Sequence, residues 1–145
     1  VYIGAGTVKK KEEIDVLSDM GVPYILTPGF DEQIVRYALE KKIEVLPGVL
    51  TPSEVQAAVN CGIHLAKLFP ADAFSDRYIK ALKGPFTEMD YVAVGGVTPE
   101  NAVNFYRLGY KGVAAGSNLV PKHAKRSDLK KIRETARKYV EVSQI

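Results

Sequence analysis

The chain has 145 residues, of which 46% are hydrophobic and 26% charged, and a formal net charge of +3. That is enough apolar material for one domain with its own core, and the charge fraction excludes an intrinsically disordered chain. Cys61 is the only cysteine, which excludes an intrachain disulfide, and no apolar run is long enough to span a bilayer. In chain order the elements repeat one pattern: a short β-branched run, a Gly/Pro/Thr turn, then an amphipathic helical stretch. The strand-like runs are Val1-Tyr2-Ile3, Tyr24-Ile25-Leu26-Thr27, Ile43-Glu44-Val45-Leu46, Leu65 to Phe69, Tyr91-Val92-Ala93-Val94 and Gly112-Val113-Ala114-Ala115. They recur roughly every twenty to twenty-six residues, the length of one strand–helix unit with tight loops.

The helices between them announce their starts. Thr51-Pro52-Ser53-Glu54 reads as an N-cap, a proline at the first helical position and a glutamate three residues after the cap. Thr98-Pro99-Glu100-Asn101 repeats the device, and Asp31 and Asp76 are placed to begin helices. Ile34, Val35, Ala38 and Leu39 share one helical face, as do Ile14, Val16 and Leu17; Gly21, Gly62 and Gly109 are expected to end helices. Cys61 falls late in one helix and reads as a packing residue. Short apolar strands alternating with helices imply a parallel sheet covered by helices. An open dinucleotide-binding sheet would place G-x-G-x-x-G after its first strand, but Gly4-Ala5-Gly6-Thr7-Val8 lacks the third glycine. The expected architecture is α/β, a (β/α)₈ TIM barrel. About six units are visible where a full barrel has eight, so about the first two βα units are expected to be missing, with residues 1–145 forming one incomplete barrel domain.

Lys67 stands inside the apolar run Leu65-Ala66-Lys67-Leu68-Phe69-Pro70. An amine in a strand built for burial loses hydration, and desolvation lowers a lysine pKa and makes the amine nucleophilic near neutral pH. The other reading is a core lysine paired with a carboxylate or snorkelling at a strand end. Alternation places Leu65, Lys67 and Phe69 on one face. In a barrel the site lies where strands run into their following loops, and phosphate sites form from the last two of those loops. Gly95-Gly96-Val97 and Gly116-Ser117-Asn118 are the last two strand-ending turns here. A lysine free of water beside a phosphate site suits Schiff-base chemistry on a phosphorylated keto compound, with the iminium as electron sink.

These residues resemble the 2-keto-3-deoxy-6-phosphogluconate (KDPG) aldolase and 4-hydroxy-2-oxoglutarate aldolase family, class I enzymes with a (β/α)₈ fold. The matching stretches are Gly4-Ala5-Gly6-Thr7-Val8, Thr27-Pro28-Gly29, Leu46-Pro47-Gly48, Lys67-Leu68-Phe69-Pro70-Ala71, Gly95-Gly96-Val97-Thr98-Pro99-Glu100-Asn101 and Gly116-Ser117-Asn118-Leu119-Val120. The resemblance implies that Lys67 forms the Schiff base, that Thr7 and Pro28 line the pyruvate end, that Phe69 packs beside the imine, and that Gly95, Gly96 and Ser117 hold the phosphate. It further implies cleavage to pyruvate and glyceraldehyde 3-phosphate, activity on 4-hydroxy-2-oxoglutarate, no metal or organic cofactor, and a homotrimer of the Entner-Doudoroff pathway. The family's general-base glutamate and its companion arginine would lie before residue 1. Val94, where many members carry threonine, resembles the relatives that act on the galactonate epimer, as does Tyr78-Ile79-Lys80-Ala81-Leu82-Lys83; Lys83-Gly84-Pro85-Phe86 resembles the gluconate enzymes.

Two other readings stand beside the aldolase. One is a phosphate-binding barrel with a structural lysine and no chemistry. The other is a phosphoribosyl-type isomerase, which wants an acid/base pair at strand ends that the chain does not display. Glu44 is expected to make an outward salt bridge, and His64 and His123 to be loop or surface residues. Lys122, Lys125, Arg126, Lys130, Lys131, Arg133, Arg137 and Lys138 read as the solvated face of a helix, interleaved with Glu134 and Glu141. No recognition motif accompanies them, so no nucleic-acid or membrane partner is expected, and the expected compartment is the cytoplasm.

Overall fold

Each parallel strand lies next to the one that precedes it in sequence, so the sheet advances in one direction without a switch point. The computed structural model describes residues 2–144. Its helices are α1 (Lys11–Asp19), α2 (Glu32–Glu40), α3 (Pro52–Asn60), α4 (Asp76–Lys83), α5 (Pro99–Arg107) and α6 (Leu129–Val142). Its strands are β1 (Tyr24–Leu26), β2 (Glu44–Leu46), β3 (Gly48–Val49), β4 (Leu65–Leu68), β5 (Asp90–Val94) and β6 (Gly112–Ala114). β1 pairs with β2, and β3, β4, β5 and β6 pair in that order, all parallel. Sequential parallel order with a helix between neighbours is the winding of a (β/α) barrel rather than of a dinucleotide fold.

β2 and β3 are two halves of one strand broken at Pro47, which has no N–H to give a ladder. The first half pairs with β1, and the second passes to β4, where Lys67 N donates to Pro47 O at 2.8 Å. The first predicted strand is corrected. Val1 lies outside the described residues, while Tyr2 and Ile3 are 84% and 75% exposed and unpaired. Pairing begins further along, at a parallel bridge between Ala5 and Ile25, with Leu26 N donating to Ala5 O at 2.8 Å. Gly4 lies so close to the Tyr24 ring that an added Cβ would fall 2.3 Å from it.

The caps behave as their residue types require. Thr51 and Glu54 form a reciprocal capping box on α3, and Thr98 and Asn101 form one on α5 with asparagine in the glutamate's place. Asp31 accepts from Gln33 N and Ile34 N at the start of α2. Gly21, Gly62 and Gly109 follow their helices with φ of +69°, +78° and +89°, the left-handed conformation that closes a helix. Two face assignments change. Val16 points to solvent while Ile14 is buried, and Leu39 is exposed at the margin of the face made by Ile34, Val35 and Ala38.

The core is the layer between sheet and helices. Ile25, Val45, Ala66, Leu68, Tyr91 and Ala93 are all buried. Their strand neighbours, such as Leu26, Leu46, Lys67, Val92 and Val94, alternate to the other, more open face of the sheet. Tyr91 is wholly buried, and its hydroxyl has no hydrogen-bond partner among the described residues. Burial pushes its pKa up to about 12. An unpaired buried hydroxyl costs stability, so Tyr91→Phe is expected to stabilise the fold by about 1 kcal/mol, measured by denaturant unfolding. A loss of stability would mean that the hydroxyl has a partner after all.

Candidate active site

Lys67 sits at the centre of β4, in register with Gly48 on one side and Val92 on the other. Ala66 and Leu68 are 0% and 2% exposed beneath the helices, so Lys67 emerges on the opposite face, where it is half-buried. Its Nζ lies 3.4 Å from the backbone oxygen of Thr27 and 4.6 Å from the centroid of the Phe69 ring. No carboxylate forms an ion pair with it among the described residues. A carbonyl oxygen and an aromatic face both favour the ammonium, yet desolvation outweighs them and pushes the amine below the ordinary lysine range. The sign for stability follows from the direction of that shift. The unfolded chain holds this proton more tightly, so the charged amine costs stability below its lowered folded pKa. That cost is relieved as pH rises towards the ordinary lysine value. Under trace labelling with an amine-selective reagent, Lys67 is expected to become reactive at lower pH than the surface lysines; coincident profiles would remove its special environment.

Thr27 organises the neighbouring strand ends. It is a buried polar side chain in the core, 2% exposed. Its Oγ1 donates to Gly29 O at 2.7 Å and accepts from Gly48 N at 3.3 Å, while its own N–H donates to Leu46 O at 3.3 Å. Those bonds set the direction of the carbonyl that meets Lys67. Sequence reasoning quoted Thr27-Pro28-Gly29 but did not see the hydroxyl as the tie. The available signal was a threonine ending a buried strand, where an unpaired hydroxyl is costly.

The two late turns meet in a cleft of about 370 Å³. Phe69, Val94, Gly95, Gly96 and Ser117 all line it, together with Val97, Ala114, Ala115, Gly116 and Asn118. Gly95 and Gly96 have φ of +101° and +63°, which a side chain rarely tolerates. The carbonyls of this turn are tied off on the protein side. Asn101 Nδ2 donates to Gly96 O at 2.9 Å, and Val97 O accepts from both Asn118 Nδ2 at 2.8 Å and Tyr139 Oη at 2.9 Å. The backbone N–H groups of Gly95, Gly96, Gly116 and Ser117 have no protein acceptor among the described residues. Successive free N–H groups in a glycine turn make an anion-binding concavity.

Pro28 lines a second cleft of about 280 Å³ with Thr27 and Gly29. Lys67 lines neither cleft, but it meets Thr27, which borders one, and Phe69, which borders the other. Thr7 lies at the end of the segment paired with β1 but lines neither cleft. Its φ of +62° is strained for a β-branched residue. Glu44 makes no salt bridge among the described residues, which corrects the outward pair expected for it. It sits in register with Tyr24 and borders a cavity with Leu65 and His64 at the opposite end of the strands from the glycine turns. His64 and His123 are exposed, and the basic residues from Lys122 to Lys138 lie on exposed surface. Cys61 is a free, partly buried thiol just after α3. Among the described residues no group of three or more His, Cys, Asp or Glu could hold a metal ion, and no helix is long and apolar enough to cross a membrane.

The family model described as KDPG and KHG aldolase matches residues 1–135. This chain belongs to the KDPG and KHG aldolase family. Within that family it is 42% identical over 118 residues to the 2-dehydro-3-deoxy-6-phosphogalactonate aldolase of Escherichia coli K12, covering 81% of this chain and 58% of that one. It is 31% identical over 141 residues to the KHG/KDPG aldolase of the same organism, covering 96% of this chain and 66% of the relative. The chain thus spans roughly three-fifths to two-thirds of the lengths of these aldolases. A native KDPGal structure superposes with a TM-score of 0.92 at 35% identity, covering 99% of this chain and 69% of that one. The aldolase fold therefore extends over the whole described chain, with its strands in the same winding.

Proposed function

We propose that this chain carries the Schiff-base lysine and the phosphate turn of a class I aldolase acting on a 2-keto-3-deoxy-6-phospho sugar acid. The observation that carries the reading is Lys67. It is an amine without an ion-pair partner among the described residues, desolvated, placed in β4 between the Thr27 carbonyl and the Phe69 ring. A neutral amine there adds to the substrate's keto carbon, and loss of water forms the iminium. Removal of the C4 hydroxyl proton then breaks the C3–C4 bond. Glyceraldehyde 3-phosphate leaves, and the electron pair remains as an enamine conjugated to the iminium nitrogen. Return of a proton to C3 and hydrolysis release pyruvate and restore the lysine. Gly95, Gly96 and Ser117 would hold the phosphate by backbone N–H groups, and Thr7 and Pro28 would border the pyruvate end. Metal ions have no part in the scheme, because the iminium itself is the electron sink.

The test is incubation with pyruvate and borohydride, digestion and mass spectrometry. A reduced pyruvate adduct is expected on the peptide containing Lys67. A folded protein with no adduct would leave only the phosphate-binding reading.

Of the two epimers, the sequence reading placed the gluconate compound first. The galactonate compound is favoured by the higher identity to the galactonate relative, 42% against 31%, and by Val94 at the cleft wall beside Gly95. A methyl group in place of a hydroxyl removes one hydrogen-bond partner for a sugar hydroxyl. Val94→Thr is expected to raise the ratio of gluconate to galactonate cleavage about tenfold, read from initial rates of pyruvate release. An unchanged ratio would remove Val94 from epimer choice.

A further inference from the structure

The last helix reaches the phosphate turn through one side chain. Tyr139 is the only buried residue of α6 among those described, 8% exposed on a helix otherwise lined with exposed basic residues. Its hydroxyl donates to Val97 O, 42 residues earlier in the chain, at 2.9 Å. Asn118, from the other glycine turn, donates to the same oxygen at 2.8 Å. One carbonyl thus receives two donors, one from the other glycine turn and one from α6, and this uses both of its lone pairs. The Gly95-Gly96 segment before it has no side chains of its own to define its path, and without a Cβ its backbone, here at positive φ, has many alternatives open to it.

We infer that Tyr139 is a positioning residue for the anion-binding turn. By fixing the Val97 carbonyl outward it holds the Gly95 and Gly96 N–H groups towards the cleft in a bound-like arrangement. The inference rests on the reading of these turns as the phosphate site. A turn ordered before the ligand arrives loses less entropy on binding, so the hydroxyl's contribution appears in anion affinity rather than in the chemistry at Lys67. Tyr139 makes no bond to the amine and does not itself line the cleft; it reaches the cleft wall only through the Val97 carbonyl.

The test compares the full chain with Tyr139→Phe, which keeps the ring in place and removes only the donor. Inorganic phosphate is titrated and its Kd measured by calorimetry or phosphorus NMR, and in parallel the rate of pyruvate–borohydride labelling at Lys67 is recorded. Tyr37→Phe serves as control. It removes a hydroxyl that bonds Asp15 between α1 and α2, away from the cleft. The expected result is a phosphate Kd raised about fivefold in Tyr139→Phe, with unchanged pyruvate labelling and an unchanged Kd in Tyr37→Phe. An equal phosphate Kd in wild type and Tyr139→Phe overturns the inference, as does a wild type that binds no phosphate. A matching loss in Tyr37→Phe, or a parallel fall in pyruvate labelling, also overturns it, because either reports general loosening. Loss of labelling in the wild type alone speaks against the lysine chemistry and leaves the phosphate comparison to decide the role of Tyr139.

Discussion

Lys67→Met is expected to lose the borohydride-trapped pyruvate adduct completely while remaining folded. Methionine keeps the length and volume of the stem but has no nitrogen to form the imine. Lys67→Arg sharpens the result. Its guanidinium keeps the positive charge near Phe69 and Thr27 but stays protonated at any accessible pH, so it also forms no adduct. If charge alone mattered, the arginine variant would behave as wild type in the trapping reaction. Stability is expected to move the other way. Burial holds the lysine amine below its ordinary pKa, which means that its charged form is disfavoured in the fold, and removing it with methionine is expected to raise rather than lower stability at neutral pH. Opposite signs in activity and stability are the mark of a group kept for its chemistry. A methionine variant that is strongly destabilised would instead favour a structural lysine.

Gly48→Ala is expected to be strongly damaging near the site. Gly48 is buried in β3, and a Cβ there would fall 2.4 Å from Pro28 O, 2.6 Å from Pro28 C and 2.9 Å from Gly29 N. These are backbone atoms and cannot swing aside as a side-chain end can. The Pro28 loop must move or β3 must leave its register with Lys67. A loss of about 3 kcal/mol is expected in denaturant unfolding, together with a fall in the rate of pyruvate trapping. Gly48 N also donates to Thr27 Oγ1, so a displaced strand releases the carbonyl that meets the amine. Gly6→Ala is the comparison. Nothing lies within 4 Å of its added Cβ, and its effect is expected to stay within about 0.5 kcal/mol. Equal behaviour of the two variants would mean that the close approach at Gly48 can relax.

Much of this molecule was legible from neighbouring residues alone. The strands at Tyr24, Glu44, Leu65, Tyr91 and Gly112 lie where short β-branched and apolar runs predicted them. Thr51, Thr98 and Asp31 cap helices because their side-chain oxygens reach N–H groups two or three residues on. That Lys67 shares a face with Leu65 and Phe69, opposite the buried Ala66 and Leu68, followed from the two-residue period of a strand; which of the two faces is the open one did not. The errors have equally local causes. Tyr2 and Ile3 carry strand propensity but have no partner strand among the described residues, so propensity alone did not pair them. Glu44 was given a salt bridge on general grounds, yet among the described residues no cation pairs with it. Pro47 splits a strand that periodicity read as ending at Leu46.

Propensity, alternation and capping act over a few residues, and from the chain alone they determined where most strands and helices lie, where several helices start, and that a lysine would stand in an apolar strand on the face opposite Ala66 and Leu68. Only the tertiary structure decided what surrounds that lysine. The Thr27 carbonyl comes from 40 residues earlier, and the second donor to the Val97 carbonyl comes from a helix 42 residues later. Such contacts depend on how strands and helices pack, and the one-dimensional pattern does not encode the distances between them.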